Sequence, residues 1–320
     1  MRIYVLALDG VFDTGLSTIL DTFSIANDLA APAGMPAVRF EVTVVGVRPQ
    51  VRTGQGLSMP VEPAAQLTPP DIVLIPALGA KMPETLRMAL ERRDVAEAGE
   101  RLREWSNAGA LVSAACTGTF VLADTSLLDG QSATTSWWLA PLFRERYPGV
   151  MLEESRMVVG SSRFVTAGAA LAHIDLALWL VRRSSPALAA LTARFLVIDP
   201  RPSQAVFMIP DHLMHTDPLI ERFEQWARQR LTDGFSLSAA ANATGTSERT
   251  LARRLKNVLG KTPLSYFQDL RVERAVHLLQ TSNDSIDLIA VQVGYANGVT
   301  LRTLLRRRIG RSISQLRPGK

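Results

Sequence analysis

Cysteine is almost missing from this 320-residue sequence, with Cys116 as its single representative. Disulfides within the chain are therefore impossible, and a metal site built on several thiolates is excluded. No metal and no cofactor is expected. Long apolar runs are missing as well. Nothing approaches the ~18 uninterrupted apolar residues of a membrane span, so no membrane partner is expected. The run behind Met1, Arg2-Ile3-Tyr4-Val5-Leu6-Ala7-Leu8, is too short and wrongly flanked for an export signal. It reads instead as a buried strand ending at Asp9-Gly10, and the expected compartment is the cytoplasm. Low-complexity tracts are also lacking. What remains is a globular balance of 47% apolar and 20% charged residues, in a chain long enough to prompt an expectation of two domains.

Charge is unevenly spread. Residues 1–215 hold 18 Lys and Arg against 21 Asp and Glu, a net of −3, whereas residues 216–320 hold 17 against 9, a net of +8. A basic module beside a mildly acidic one points to a polyanion that meets only the C-terminal part. A solvated basic face without a partner would give the same count.

The first part alternates short apolar runs with helical patterns. Residues 3–8, 40–47, 72–76, 110–115 and 163–166 read as buried strands, and 16–29, 84–107, 117–125 and 170–183 as helices. Strand–helix alternation predicts an α/β fold with parallel pairing and a sheet covered on both faces. The stretch from Asp199 to Pro218 carries four prolines and little periodicity, which marks a linker. The expected organisation is a domain over 1–198, a linker over 199–216 and an all-α domain over 217–320.

Within that last domain, residues 236–260 read as a helix–turn–helix. Leu237, Ala240 and Ala241 share a face, Gly245 gives the turn, and Ser247 caps a second helix striped by Leu251, Leu255, Val258 and Leu259. Residues 285–310 repeat the design, with Ile286, Ile289, Ala290 and Val293, then Gly294 and Asn297-Gly298, then Leu301, Leu304, Leu305 and Ile309. A helix opened by Pro263 and running through Leu279 joins the two. Arg249, Arg253 and Arg254 point away from the first leucine stripe, and Arg302, Arg306, Arg307 and Arg308 from the second. Arginine suits both phosphates and the guanine edge. One basic helix is explained equally well as a solubilising face, but two with the same turn chemistry and a joining helix are not.

Residues 217–320 resemble the AraC/XylS family of bacterial regulators. The resemblance is carried by Ser247-x-x-x-Leu251-x-Arg253-x-Leu255-x-x-x-x-Gly260-x-x-Pro263, by Arg271-Val272-x-x-Ala275-x-x-Leu278-Leu279, and by Ile286-x-x-Ile289-Ala290-x-x-Val293-Gly294-Tyr295, ending near Gly310. It implies two recognition helices in successive major grooves, ~34 Å apart, and RNA polymerase among the partners. Mapped here, the DNA-facing positions are Ser247, Arg249, Ala252, Arg253 and Arg254, then Val299, Thr300, Arg302, Thr303 and Arg306. This chain departs from the family at Leu255 and Leu305, where an aromatic is usual, and at Ile313 and Leu316, where proline and tyrosine are usual. At Thr303, often arginine in the family, the change leaves Arg302 as the main reader.

In the first part, a buried strand runs straight into Cys116, and Thr117-Gly118 opens a helix. That is the pattern of a nucleophile elbow, where the positive end of a helix should lower the thiol pKa. A small buried thiol without a role is the plainer reading. Residues 1–195 resemble the PfpI-like, class I glutamine-amidotransferase-like superfamily, and more narrowly its GlxA-type branch, fused to AraC-type domains. The matching stretches include Asp9-Gly10, Ile72–Gly79, Ala115-Cys116-Thr117-Gly118, Ala133-Thr134-Thr135 and Ala167-Gly168. Catalytic relatives carry a glutamate where this chain has Phe12 and Asp13, and the fused branch commonly carries a histidine where Ser136 stands. His173 reads as a core residue on an apolar helix. No acid–base pair assembles, so no catalytic residue is assigned.

A regulator is therefore expected, dimerising through its first domain and binding double-stranded DNA with its last. Its small-molecule effector is expected to be nitrogenous or amino-acid-like. It would sit among Asp13, Leu78, Gly79, Cys116, Thr117, Ser136 and Trp137, with Trp137 and Trp138 as apolar walls. The alternative is a cysteine-dependent amidase or hydratase.

Overall fold

In a computed structural model of the chain, residues 1–35, 37–161, 163–199, 201, 203–208, 215, 217–309 and 312–317 are described. The chain divides into two units, Met1–Gln204 and Ala205–Lys320. Arg201, Ser203 and Gln204 thus belong to the first unit. Of the sequence features above, Gly310 lies outside the described residues.

The first unit runs β1 (Arg2–Leu6), α1 (Asp13–Ala30), β2 (Glu41–Gly46), β3 (Gln50–Arg52), β4 (Ser58–Pro60), β5 (Glu62–Pro63), β6 (Ile72–Ile75), α2 (Pro83–Leu90), α3 (Arg93–Asn107), β7 (Leu111–Ala115), α4 (Gly118–Ala123), β8 (Ser132–Ala133), α5 (Ala140–Arg146), β9 (Met151–Leu152), β10 (Val158–Gly160), β11 (Phe164–Ala167), α6 (Ala172–Ser184) and α7 (Pro186–Phe195). Seven strands form one sheet in the order β10-β11-β7-β6-β1-β2-β5. Every pairing in it is parallel except β10 with β11. The central strands β6, β7 and β11 are buried at every residue, because helices cover both faces. Along β1, Ile3 and Val5 join Leu16, Ile19 and Phe23 of α1 in one core, while Tyr4 turns to the other face and meets the Trp105 ring at 5.4 Å. Period-2 burial on both faces is why these strands read as unbroken apolar runs.

The sequence suggests one helix over 84–107, but there are two. Arg92 takes an extended backbone between α2 and α3. Its guanidinium is held by the Asp9 carbonyl at 2.7 Å and the Asp94 carboxylate at 2.8 Å. These contacts reward a corner where helix propensity alone would have continued.

Among its described residues the second unit contains helices and no strand: α8 (Pro218–Arg228), α9 (Leu237–Ala243), α10 (Glu248–Leu259), α11 (Pro263–Thr281), α12 (Ile286–Gln292), α13 (Gly298–Ile309) and α14 (Ile313–Leu316). Side-chain oxygens of Asp217, Ser236, Ser247, Thr262 and Ser285 cap α8 to α12. Helix α11 is apolar on two sides. Tyr266, Phe267 and Leu270 are fully buried, and the Phe267 ring lies 5.3 Å from Phe235, in the aromatic half. Val272, Ala275 and Leu279 enter an aliphatic cluster with α12 and α13.

Where these halves meet, Arg271 is only 8% exposed. Its Nε donates to the Leu231 carbonyl at 2.7 Å, and its guanidinium lies 4.8 Å from the Phe267 ring and 5.1 Å from the Tyr295 ring. Gly294, at φ +81°, fits beneath it, since a Cβ there would overlap the Leu231 carbonyl and the guanidinium. Arg308 corrects a reading made above. It does not face solvent with its neighbours on α13, but donates to Asp269 at 2.7 Å and Gln268 at 2.6 Å on α11.

Arg271→Leu is expected to destabilise the protein by about 2–4 kcal/mol, through a dry Leu231 carbonyl and two lost ring contacts. Arg274→Ala, at an exposed position of the same helix, should stay within about 0.5 kcal/mol. Urea unfolding followed by circular dichroism distinguishes the two, and equal midpoints would refute the role given to Arg271.

Candidate ligand crevice and nucleic-acid interface

Strand order reverses at β1: β2 lies on one side of it, β6 and β7 on the other. In open parallel sheets a crevice forms at such a point, beyond the carboxyl ends of the strands. Four loops meet there. Phe12 donates its N–H to the Ala77 carbonyl at 2.8 Å, and Gly79 donates to the Gly10 carbonyl at 2.6 Å. The Thr117 hydroxyl donates to the Leu78 carbonyl at 2.8 Å. The Trp138 indole N–H donates to the Lys81 carbonyl at 3.1 Å.

Cys116 stands at the elbow with φ +56°, a region a non-glycine residue enters only when its surroundings hold it there. Three contacts do so. Its N–H donates to the Ala167 carbonyl at 2.9 Å, its carbonyl accepts from the Thr135 hydroxyl at 2.7 Å, and its Sγ lies 2.8 Å from Ser136 Oγ. Gly118 follows because a Cβ would come within 2.5 Å of the Ile75 carbonyl oxygen.

The thiol pKa is raised, which corrects the expectation that the elbow lowers it. Burial is the leading cause, and the opposing pull of the Ser136 hydroxyl, the Thr117 amide and hydroxyl, and the Lys81 charge is smaller. Helix α4 is six residues long, so its dipole offers little against the desolvation of a thiolate.

Cys116, Thr117, Leu78 and Ser136 are thus brought together, and each spends polar atoms on the others. Trp137 is buried, with its ring centroid 5.6 Å from that of Trp138. Asp13 sits at the start of α1. Its Oδ2 accepts from the Gln55 N–H at 3.0 Å, while Oδ1 is buried without a hydrogen-bond partner among the described residues. Sequence reasoning passed over Lys81, whose Nζ lies 5.9 Å from the Phe12 ring centroid. Its only signal was its place in the same loop as Leu78-Gly79.

His173 is a satisfied core residue. Its Nδ1 bonds the Ala170 carbonyl at 2.5 Å and its Nε2 accepts the Ala77 N–H at 3.0 Å, an arrangement that requires the neutral ring. Among the described residues no group of histidines, cysteines and carboxylates is placed to hold a metal.

In the second unit, Ser247 caps α10 by accepting the Thr250 N–H at 3.2 Å, and Asn297 Oδ1 caps α13 by accepting the Thr300 N–H at 3.0 Å. Arg249 and Arg253 are exposed on α10, Ala252 is half-buried between them, and Val299, Thr300, Arg302, Thr303 and Arg306 are exposed on α13. Arg254 differs from its neighbours, because it is ion-paired with Asp217, the cap of α8, while its side chain stays 56% exposed. Leu255 and Leu305 are both fully buried, so leucine fills the places where an aromatic was anticipated.

The DJ-1/PfpI family model matches residues 1–183, more than half of the sequence. The chain belongs to the DJ-1/PfpI family. A helix-turn-helix domain model, of the AraC type, matches residues 240–318. The HTH-type transcriptional regulator ArgR of Pseudomonas aeruginosa is 27% identical over 216 residues, 66% of this chain and 65% of its own length. The HTH-type transcriptional activator RhaS of Escherichia fergusonii is 36% identical over 106 residues, 33% of this chain and 38% of its own length. The chain thus spans 38% and 65% of these two curated relatives. A solved AraC family transcriptional regulator from Pseudomonas putida shares the fold with a TM-score of 0.51 at 19% identity, over 61% of this chain and 98% of that one.

Two outcomes follow for this family member. Alkylation of Cys116 by iodoacetamide at neutral pH should be far slower than that of a free cysteine, and a rate equal to the free thiol would contradict the raised pKa. Burial holds the His173 pKa down at about 4, against an ordinary 6.5. The unfolded chain therefore takes up the proton first. This contribution is complete above pH 6.5 and is lost as pH falls towards 4, an effect of about 3 kcal/mol. In urea unfolding across that window, His173→Gln should show a shallower loss of stability than the wild type. Equal slopes would refute the neutral ring.

Proposed function

We propose that the chain is a sequence-specific, DNA-binding transcription regulator whose first unit senses a small, nitrogenous or amino-acid-like effector. The observation that carries this reading is the pair of capped helices, α10 and α13. Leu251, Leu255 and Leu259 of the first and Leu301 and Leu305 of the second are buried, while Arg249, Arg253 and Arg254, and Arg302, Arg306 and Arg307, are exposed, on a part of the sequence with net charge +8. The relatives support it, since those reported above are HTH-type regulators or activators.

For the effector, Asp13 Oδ1, buried and unpartnered among the described residues, suits an ammonium or other cationic nitrogen, and Lys81 across Phe12 suits a carboxylate. An effector acts only through its differential affinity for two arrangements of the protein, and a dimer held by the first unit would present two such arrangements to DNA. RNA polymerase is a further partner and the cytoplasm the site of action under this reading. The amidase or hydratase alternative has against it a thiol whose pKa is raised and whose nearest polar side chain is a hydroxyl rather than a base.

Full-length protein should retain specific duplexes from a genomic fragment library, with affinity falling steeply as salt rises. Arg253→Ala should weaken that binding by about 1–3 kcal/mol. Retention of no specific fragment would refute the regulator. Amino-acid-like metabolites should raise the melting temperature of the wild type but not of Asp13→Asn. A shift that survives in the variant, or none in the wild type, would remove the effector assignment. Sedimentation as a monomer at all concentrations, with and without DNA, would remove the dimer.

A further inference from the structure

The caps place the two recognition helices in one register, because Ser247 and Asn297 play the same role at positions 247 and 297. Leu251 matches Leu301 and Leu255 matches Leu305, and all four are fully buried. The outward positions can therefore be compared one for one. Arg249 corresponds to Val299, Arg253 to Thr303, and Ala252 to Arg302.

On α10 the positions one turn apart, Arg249 and Arg253, form an exposed cationic stripe. On α13 the same stripe, Val299 and Thr303, carries no charge. Val299 is 64% exposed at the start of the helix, outside the aliphatic cluster that holds Leu301 and Leu305. Thr303 donates its hydroxyl back to the Val299 carbonyl at 3.1 Å, so its methyl and the acceptor side of its oxygen are what it offers a partner. The Thr300 hydroxyl likewise donates its proton, to Asn297 Oδ1 at 3.1 Å. Of the first two turns of α13, only Arg302 keeps an exposed polar side chain without a hydrogen bond or ion pair among the described residues.

The major groove offers one apolar group, the C5-methyl of thymine, while a guanidinium fits the O6 and N7 of guanine. Resting on the regulator reading above, we propose that the second recognition helix reads thymine through Val299, with the Thr303 methyl beside it. Arg302 takes a neighbouring guanine, and Arg249 and Arg253 of the first helix take guanines in the other half of the site. The operator is then asymmetric, with a guanine half under α10 and a thymine-containing half under α13.

The test starts from the operator that the full-length protein selects from randomised duplexes. Each dT is replaced in turn by dU, which removes only the methyl, and each dG by 7-deaza-dG, which removes only the N7 acceptor. The wild type should lose about fourfold in affinity at one or more dU positions, the factor that burial of one such group is worth. Val299→Ala should melt at the wild-type temperature, lose that dU sensitivity, and keep the 7-deaza-dG sensitivity of the other half. Arg253→Ala should do the reverse. If no dU position matters to the wild type, or if Val299→Ala keeps the same sensitivity, the thymine assignment is overturned while specific binding leaves the regulator standing. If no duplex is selected, both fall together.

Discussion

A guanidinium costs several kcal/mol to withdraw from water unless its donors and its charge are met, yet Arg271 is kept inside the helical unit. Its Nε is met by the Leu231 carbonyl behind α8 and its charge by the faces of Phe267 and Tyr295, while Nη2 is buried without a hydrogen-bond partner among the described residues. The consequence is geometric. Phe267 belongs to the first helix-turn-helix half and Tyr295 to the turn of the second, so one side chain fixes the distance between two otherwise separate cores. Arg308 and Lys261, both drawn to Asp269 on α11, brace the same joint. The spacing of α10 and α13 is thereby a property of α11 rather than of either recognition helix.

In the first unit the equivalent constraint is the approach of the β7 elbow to the β6 loop. Gly118 lies so near the Ile75 and Pro76 carbonyls that no side chain fits. That closeness shields Cys116 and explains why burial outweighs the short helix in setting its pKa. A related squeeze occurs at Gly15, where a Cβ would press on the His173 ring at 2.6 Å. Small residues at these points let the Thr117 hydroxyl and the His173 ring find their hydrogen bonds inside the fold.

Much of this was legible in the amino-acid pattern. The strands at 72–75 and 111–115 and the two helix-turn-helix units announce themselves through buried periodicity and caps, which are local properties. Three features were not legible. The break at Arg92 depends on the Asp9 carbonyl, 83 positions away. The inward turn of Arg308 depends on Asp269, 39 positions away. The raised thiol pKa depends on how much water the fold removes, which no spacing encodes. Missed residues such as Lys81 belong to loops, where period carries no information and only three-dimensional proximity assigns a role.

Gln204 bears on how such proteins can be recombined. Its carboxamide donates to the carbonyls of Thr135 and Glu154, each at 2.8 Å, and Gly168 makes room for it, since a Cβ there would fall 2.6 Å from Gln204 Oε1. The sequence marks residues 199–216 as a linker after a domain ending at 198, and Gln204, within that stretch, is hydrogen-bonded to the first unit. A chimera joined at the earlier point would replace this plug with foreign sequence beside Thr135, whose hydroxyl holds the Cys116 carbonyl. The transplantable module is therefore the sheet together with its trailing strap, and exchange of that unit is conservative only when the graft carries the glutamine along.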